Sequence, residues 1–522
     1  MSAISRSNEF SLLNHKPALF VLFFTEMWER FSYYGMRAIF VLFLTAPFVD
    51  GGWEWSNERA LGLLGIYTSS VYLTPIIGGW IADKLTGYQK AVAFGALAMT
   101  LGHASLAFET EFMFYVGVGF LIIGNGLFKP NITSIISGLY DKFPERKDGA
   151  FTIFYMGVNS GGFLGVLLCG FLASNLSYSW GFGLAGLFML LGMLQFWFGR
   201  AIFENIGKQP SKKVDLSDAI EEVGNEASDN DSVEYNVSAN VQRDRYIVVG
   251  ILAFFVVFFW AAFEQASGSM TIFARDYTQR TLTGNSALTF KIVDTLISVV
   301  PLGIITWVLI KLFRQTFSKI SLSNIILGIS FLSIWGFVFW KLSVILPKDT
   351  AEIEASWFLI LNSLFIIALA PLFSKVWESK YNPSAAIKFA IGLILLGLGF
   401  AALSYGASTI PSGAKTASVS MIWLVLAYLL HTMGELSLSP VGLSYVSKLV
   451  PPKKIGMMFG VWYLAIAAGN FLAQKVGGYI DVIVNKYSMS TFFLIFTLVP
   501  VVAGLILILL NPMMKRMMHG VH

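Results

Sequence analysis

The chain has 522 residues, 56% of them hydrophobic and only 13% charged, against roughly 25% charged in soluble domains. Apolar runs long enough to cross ~30 Å of hydrocarbon as a helix recur from end to end, which excludes an ordinary soluble protein. A single cysteine, Cys169, excludes an intramolecular disulfide and a cysteine-held metal or iron–sulfur site, and the net charge of +5 comes from loop lysines and arginines, so it does not point to nucleic acid.

Hydrophobic runs predict fourteen spans, at 17–47, 59–82, 89–107, 112–139, 150–174, 179–202, 246–272, 289–314, 322–345, 356–379, 385–407, 417–447, 455–478 and 490–511. The fold class is therefore all-α and polytopic. No cleavable signal peptide is expected, because the first run is long, carries charges and lacks a small-residue cleavage site. Segment 204–245 is polar and nearly free of aromatics, so it reads as a linker between six spans (1–203) and eight (246–522). With the N-terminus placed in the cytoplasm, the inside loops hold about 24 basic residues and the outside loops about nine, which predicts both termini inside.

The first span contains "FTEMWERFSYYGMRAIF", with Glu26, Glu29, Arg30 and Arg37. Glu26 and Arg30 are i and i+4, and Tyr33 and Arg37 continue the same face at spacings of three and seven. Each charge at mid-depth costs roughly 2.5–3.5 kcal/mol, so this stripe must face a polar interior. An intrahelical ion-pair lattice would leave the tyrosines and the other embedded charges unexplained; a site for an anion or zwitterion uses them, since arginine presents a fork suited to carboxylate.

Asp83 ends the second span in "GGWIADKLTGYQK" and reads as a cap or pairing residue at the cytoplasmic face. Lys129 lies deep in its span in "GNGLFKPNI", where Pro130 and nearby glycines weaken the helix. Glu264 stands in "FFWAAFEQASG". Glu435 stands in "HTMGELSLSPVG", where Gly434 and Pro440 predict an irregular helix whose freed carbonyls line a cavity. His431, four residues earlier, reads as a packing residue. No P-loop, G-x-S-x-G or metal-ligand spacing is present, so no catalytic residue, metal or cofactor is expected.

"EMWERFSYYG", "GGWIADKLTGYQKAV", "FTIFYMGVNSGGFLG", "GLFKPN", "FWAAFEQ", "LNSLFIIALAP", "GELSLSPVGLSYVSKLVP" and "GVWYLAIAAGNFL", in this order, resemble the signatures of the proton-coupled oligopeptide transporters, a branch of the major facilitator superfamily. The resemblance implies two six-helix bundles around a cavity near the bilayer midplane. It implies a proton-driven symporter of di- and tripeptides, with the peptide carboxylate on Arg30, Arg37 and Lys129 and the amino group on Glu435. Tyr33, Tyr34, Tyr72, Asn159, Asn362 and Trp462 match cavity positions. Glu26, Glu29 and Arg30 match the motif tied to proton coupling, and Lys129 and Glu264 match a gate or proton-coupled pair. A related symporter for another small anionic or zwitterionic metabolite is the alternative. The implied setting is a bacterial inner membrane, the implied partners are peptide, protons and lipid, and the functional unit is a monomer. The chain departs from the family in two respects. The extra apolar pair, about 289–345, follows the "FWAAFEQ" span rather than the sixth span, and it is expected to pack on the outside of the C-terminal bundle. Span 59–82 lacks the histidine that animal members use for protonation, so proton binding must rest on acids.

Overall fold

A computed structural model describes residues 12–208, 238–377, 379, 382–411, 413–451 and 454–521. All fourteen expected spans are helices of 18 residues or more. The first six are α1 (Pro17–Thr45), α2 (Asn57–Ile81), α3 (Tyr88–Leu106), α4 (Glu111–Leu139), α5 (Pro144–Asn175) and α6 (Tyr178–Gly199). The seventh is interrupted: α7 (Ala239–Phe263) gives way to a tight 3-10 turn at Glu264–Ser267 and resumes as the short α8 (Ser269–Asp276). The inserted pair is α9 (Gly284–Thr316) and α10 (Ser321–Ile345), framed by a two-residue antiparallel ribbon of β1 (Thr281–Leu282) and β2 (Ala351–Glu352). Then come α11 (Ile360–Trp377), α12 (Ala385–Ala407), α13 (Ile422–Leu449), α14 (Ile455–Gly477), the short α15 (Ile480–Lys486) and α16 (Met489–Met517).

Twelve of these segments are apolar enough to cross a bilayer on hydropathy alone; α1 and α3 are the two long helices that are not. In α1 the reason is its four charges, and burial answers them. Almost the whole of α1 is enclosed by its neighbours, including Glu26, Glu29 and Arg30. The seam between α1 and α5 is made by glycine: a side chain on Gly161 would strike the Met27 carbonyl, and one on Gly165 the Phe31 carbonyl. Two backbones can touch there only because no Cβ intervenes.

α1 packs along α5 and α6, α3 along α4 and α6, and α2 along α4; α12 packs along α13 and α16, and α7 along α14. The two halves meet where α2 lies on α14 and α5 on α11. Apart from the contacts of the inserted pair, the polar bridges described here sit from mid-depth to the face that carries β1 and β2, the hairpin face. Asn57 donates to both oxygens of Asp481 (2.9 and 3.1 Å), Lys475 pairs with Glu58 at 3.8 Å, and Arg275 donates to Thr45 Oγ1 at 2.6 Å.

The inserted pair does not pack on the outside of the C-terminal helices, as expected from sequence. α10 lies along α6. Ser323 donates to the Gln195 carbonyl at 2.7 Å, and the Phe331 ring meets Trp28 and Phe24 edge-on, with centroids 5.6 and 5.5 Å apart. The reason is chemical fit: α6 and α1 offer an aromatic surface and a carbonyl that α10 can satisfy. The predicted irregularity of α4 and α13 is corrected too. Both run unbroken past Pro130, Gly434 and Pro440. The break falls at Glu264–Ser267 instead.

Candidate functional site

The predicted residues fall into two adjoining groups, one dry and one open, stacked along α1. In the dry group Arg30 Nε lies 2.9 Å from Glu26 and 2.5 Å from Glu29. Asn125 of α4 donates to the other oxygen of Glu29 at 3.1 Å. Arg30 is 4% exposed and Glu29 0%, so the ions are stabilised by each other rather than by water. Lys129, one turn from Asn125 on α4, holds its ammonium 4.7 Å from the centre of the Tyr72 ring, a cation–π distance. Tyr33 sits 5.3 Å under the Arg30 guanidinium and meets Tyr34 and Tyr67 ring to ring.

One turn farther along α1 a cavity of about 140 Å³ opens. Tyr34 and Arg37 of α1 and Asn159 of α5 form one side; Glu264, Asn362 of α11 and Glu435 of α13 form the other. Arg37 crosses the gap. It pairs with Glu264 and donates to Ser267 Oγ at 2.6 Å. The Glu264–Ser267 turn makes this possible, because it swings both oxygens out of the α7 ladder toward α1. Gln474 of α14 holds the turn by donating to the Glu264 carbonyl at 3.0 Å, and Gln265 fastens it to the Ala473 carbonyl at 2.6 Å. A backbone released from helical bonding inside a membrane must find such partners.

Glu435 is oriented by Asn362, which donates to its carboxylate at 2.9 Å and reaches Thr432 Oγ1 at 3.2 Å. Asn159 donates to the Tyr155 carbonyl at 3.0 Å and borders the cavity beside Tyr155. His431 also borders the cavity, packed against Phe400 with ring centroids 4.5 Å apart.

Several expected placements differ. Glu264 pairs with Arg37 and not with Lys129. Trp462 is 3% exposed and packs edge-on against Phe389, away from the cavity lining. Asp83, by contrast, is a pairing residue at the end of its span as expected, accepting from the hydroxyl of Tyr88 at the start of α3 at 2.8 Å. Sequence reading passed over Asn125, Tyr155, Ser267, Ser363 and Tyr428, which complete the two groups. Helical spacing alone points to two of them: Asn125 lies four residues before Lys129, and Tyr155 four before Asn159. Among the described residues no cluster has the composition of a metal site.

The sequence signature of the POT family matches residues 89–223 and 336–493, together more than half of the chain. The chain is 35% identical to the uncharacterized transporter YclF of Bacillus subtilis over 97% of its own length and 96% of that protein's. It is 31% identical to a di-/tripeptide transporter of Lactococcus lactis subsp. cremoris, covering 96% of each. Among solved structures, a mutant peptide transporter POT in complex with alafosfalin superposes with a TM-score of 0.74 at 29% identity, covering 97% of both chains. The two relatives and the solved structure are matched over nearly the whole length of the chain, and so over both halves. The chain is a multi-pass membrane transporter of the POT family, the proton-coupled oligopeptide transporters of the major facilitator superfamily.

Proposed function

We propose that the protein is a proton-driven symporter that imports di- and tripeptides by alternating access. The observation that carries this reading is the polarity of the cavity: a base from one half, Arg37, and an acid from the other, Glu435, border the same space. Short peptides differ in side chain but share an ammonium, a carboxylate and amides. Opposed charges on separate halves bind the shared part and pull the halves together around it. The Lactococcus relative of matching length is a di-/tripeptide transporter, which supports the same class.

In this reading the peptide carboxylate goes to Arg37, with Arg30 and Lys129 adding positive field, and the amino group goes to Glu435 held by Asn362. Tyr34 and Asn159 meet backbone amides; Tyr33, Tyr72 and Trp462 shape the walls from behind. The coupled proton acts on Glu264. While Glu264 is ionised it occupies Arg37; protonation frees the guanidinium for substrate and loosens the bridge between halves. Glu26 and Glu29 hold Arg30 in place and tune Lys129 beside them. The driving force is roughly 2.3 kcal/mol per 100 mV plus about 1.4 kcal/mol per pH unit.

In this reading both termini lie in the cytoplasm and the hairpin face outside, which the basic-residue asymmetry supports. The bundle 1–203, with the inserted pair seated on it, and the rest of 246–522 then rock against each other; apart from the inserted pair they are bridged on the outer side, which corresponds to a cavity open inward. The setting is a bacterial inner membrane and the unit a monomer. The test is uptake of a labelled dipeptide into proteoliposomes under an imposed pH gradient and potential. Accumulation above the equilibrium level is expected, and uptake indifferent to the proton gradient overturns the symport reading.

A further inference from the structure

A second cavity, of about 320 Å³, lies between the central one and the hairpin face. The same three elements line both in succession. α1 offers Arg37 and Ala38 to the inner cavity and Ile39 and Leu42 to the outer; α5 offers Asn159 and then Ser174; the segment entering α11 offers Asn362 and then Ser356. Between the two, Ser356 is 2% exposed and sits where Gly170 has no side chain. The outer cavity therefore lies on the line of the inner one, behind a thin closed contact.

Its far wall is made by the chain returning from the inserted helices, and that wall carries charge of both signs. Arg280 is engaged by the Ile353 carbonyl at 2.8 Å and by Glu352 at 3.5 Å. Arg275 is engaged by Asp276 and Thr45. Lys348 and Glu354 are different: both line the cavity, and neither makes an ion pair among the described residues. Burial holds the Glu354 carboxyl above its ordinary range, outweighing the attraction of Lys341, which is itself paired with Asp294.

The wall is also rigid. The Lys341 ammonium pairs with Asp294 between α9 and α10, and Trp357 donates its indole N–H to the other Asp294 oxygen at 3.1 Å. Lys291 donates to the carbonyls of Leu346 and Lys348. The inserted pair thus fixes the backbone of the 346–357 segment from both ends, with the Lys348 side chain exposed at the cavity rim and Glu354 half-buried in its wall. A roomy polar cavity lined by an ammonium and a carboxyl that form no ion pair among the described residues suits a ligand carrying both charges.

We propose that this outer cavity is a second binding site for short zwitterionic peptides, with the ligand ammonium at Glu354 and its carboxylate at Lys348, staging substrate at the mouth of the transport path. The identity of the ligand rests on the function proposed above. The test is equilibrium dialysis of tritiated dialanine against the purified full chain in detergent, carried to millimolar peptide. The wild type is expected to bind two peptides in two classes, the weaker at least tenfold weaker. Lys348→Ala and Glu354→Gln should each lose the weaker class and keep the tighter one, which also reports that the variants are folded. Glu435→Gln should lose the tighter class only. A single class that Glu435→Gln removes and the two outer variants leave untouched overturns the outer site while the transport reading stands. A single class removed by the outer variants but not by Glu435→Gln overturns the central-site reading and supports the outer one. A wild type that binds no dialanine overturns the peptide reading and the outer ligand with it.

Discussion

Arg37 of α1 and Glu264, at the break that ends α7, form an ion pair across the two halves of the molecule, largely screened from water. Such a pair is stable only while both members are charged, because removing one leaves the other buried and alone. Neutralising Glu264 should therefore separate binding from coupling. Glu264→Gln is expected to bind dipeptide at least as well as the wild type and to exchange it in counterflow. It should lose concentration driven by a pH gradient. Proteoliposome counterflow and gradient-driven uptake, measured on one preparation, check both halves of this expectation.

Embedded charge was the most legible feature of the chain, since an ion in hydrocarbon has to be matched. Glu26, Glu29, Arg30, Arg37, Lys129, Glu264 and Glu435 all proved to lie inside the protein, in ion pairs, against a ring or on the cavity. The apolar runs likewise marked all fourteen long helices, although α1 and α3 fall short on hydropathy alone. What it could not give was partner choice, because which acid meets Arg37 depends on how α7 unwinds at Glu264–Ser267, and that turn is fixed by Gln265 and Gln474 reaching other elements. The seat of α9 and α10 was hidden for the same reason. A lipid-compatible surface has no single outward face, and only Phe331 and Ser323 meeting Trp28 and Gln195 select the α6 side. Trp462 was placed by motif resemblance, yet its ring is taken by Phe389.

Glu435 accepts from Asn362 at 2.9 Å and borders the cavity. If it receives the peptide ammonium, Glu435→Gln removes one charge-assisted bond, a loss of about 1.5–3 kcal/mol, or about 10- to 150-fold in affinity. An N-acetylated dipeptide has no ammonium to lose, so its affinity should stay within about threefold. Competition binding of the two ligands, wild type against variant, makes the comparison; equal losses for both would remove Glu435 from amino-group recognition.

Asp294 and Lys341 pair inside the inserted helices at 1% exposure each, with Trp357 bonded to the same carboxylate. Breaking such a pair from one side costs about 3–5 kcal/mol, whereas replacing both members by apolar or neutral groups costs much less. Asp294→Asn and Lys341→Met should each lower the thermal unfolding midpoint in detergent. The double variant should recover most of the loss. A double variant as unstable as the sum of the singles would mean the two residues act independently.

The seam between α1 and α5 gives the sharpest geometric prediction. Gly161 faces the Met27 carbonyl so closely that a methyl group cannot enter without moving one helix, and the next atom it would meet is Cβ of Arg30. Helical backbone does not yield as a flexible side-chain tip would, so Gly161→Ala should cost about 1–3 kcal/mol in overpacking. It should also shift the ion cluster that Arg30 anchors. Gly119, on α4, has nothing within 4 Å of the same position; there the change removes only glycine's excess freedom and should stabilise by roughly 0.5–1 kcal/mol. Unfolding midpoints of the two variants should move in opposite directions. Dipeptide uptake should fall in Gly161→Ala beyond what lost protein explains, because α1 carries Arg30 and Arg37 on the helix that has been displaced. Equal and small effects at both positions would show that α1 and α5 are free to separate.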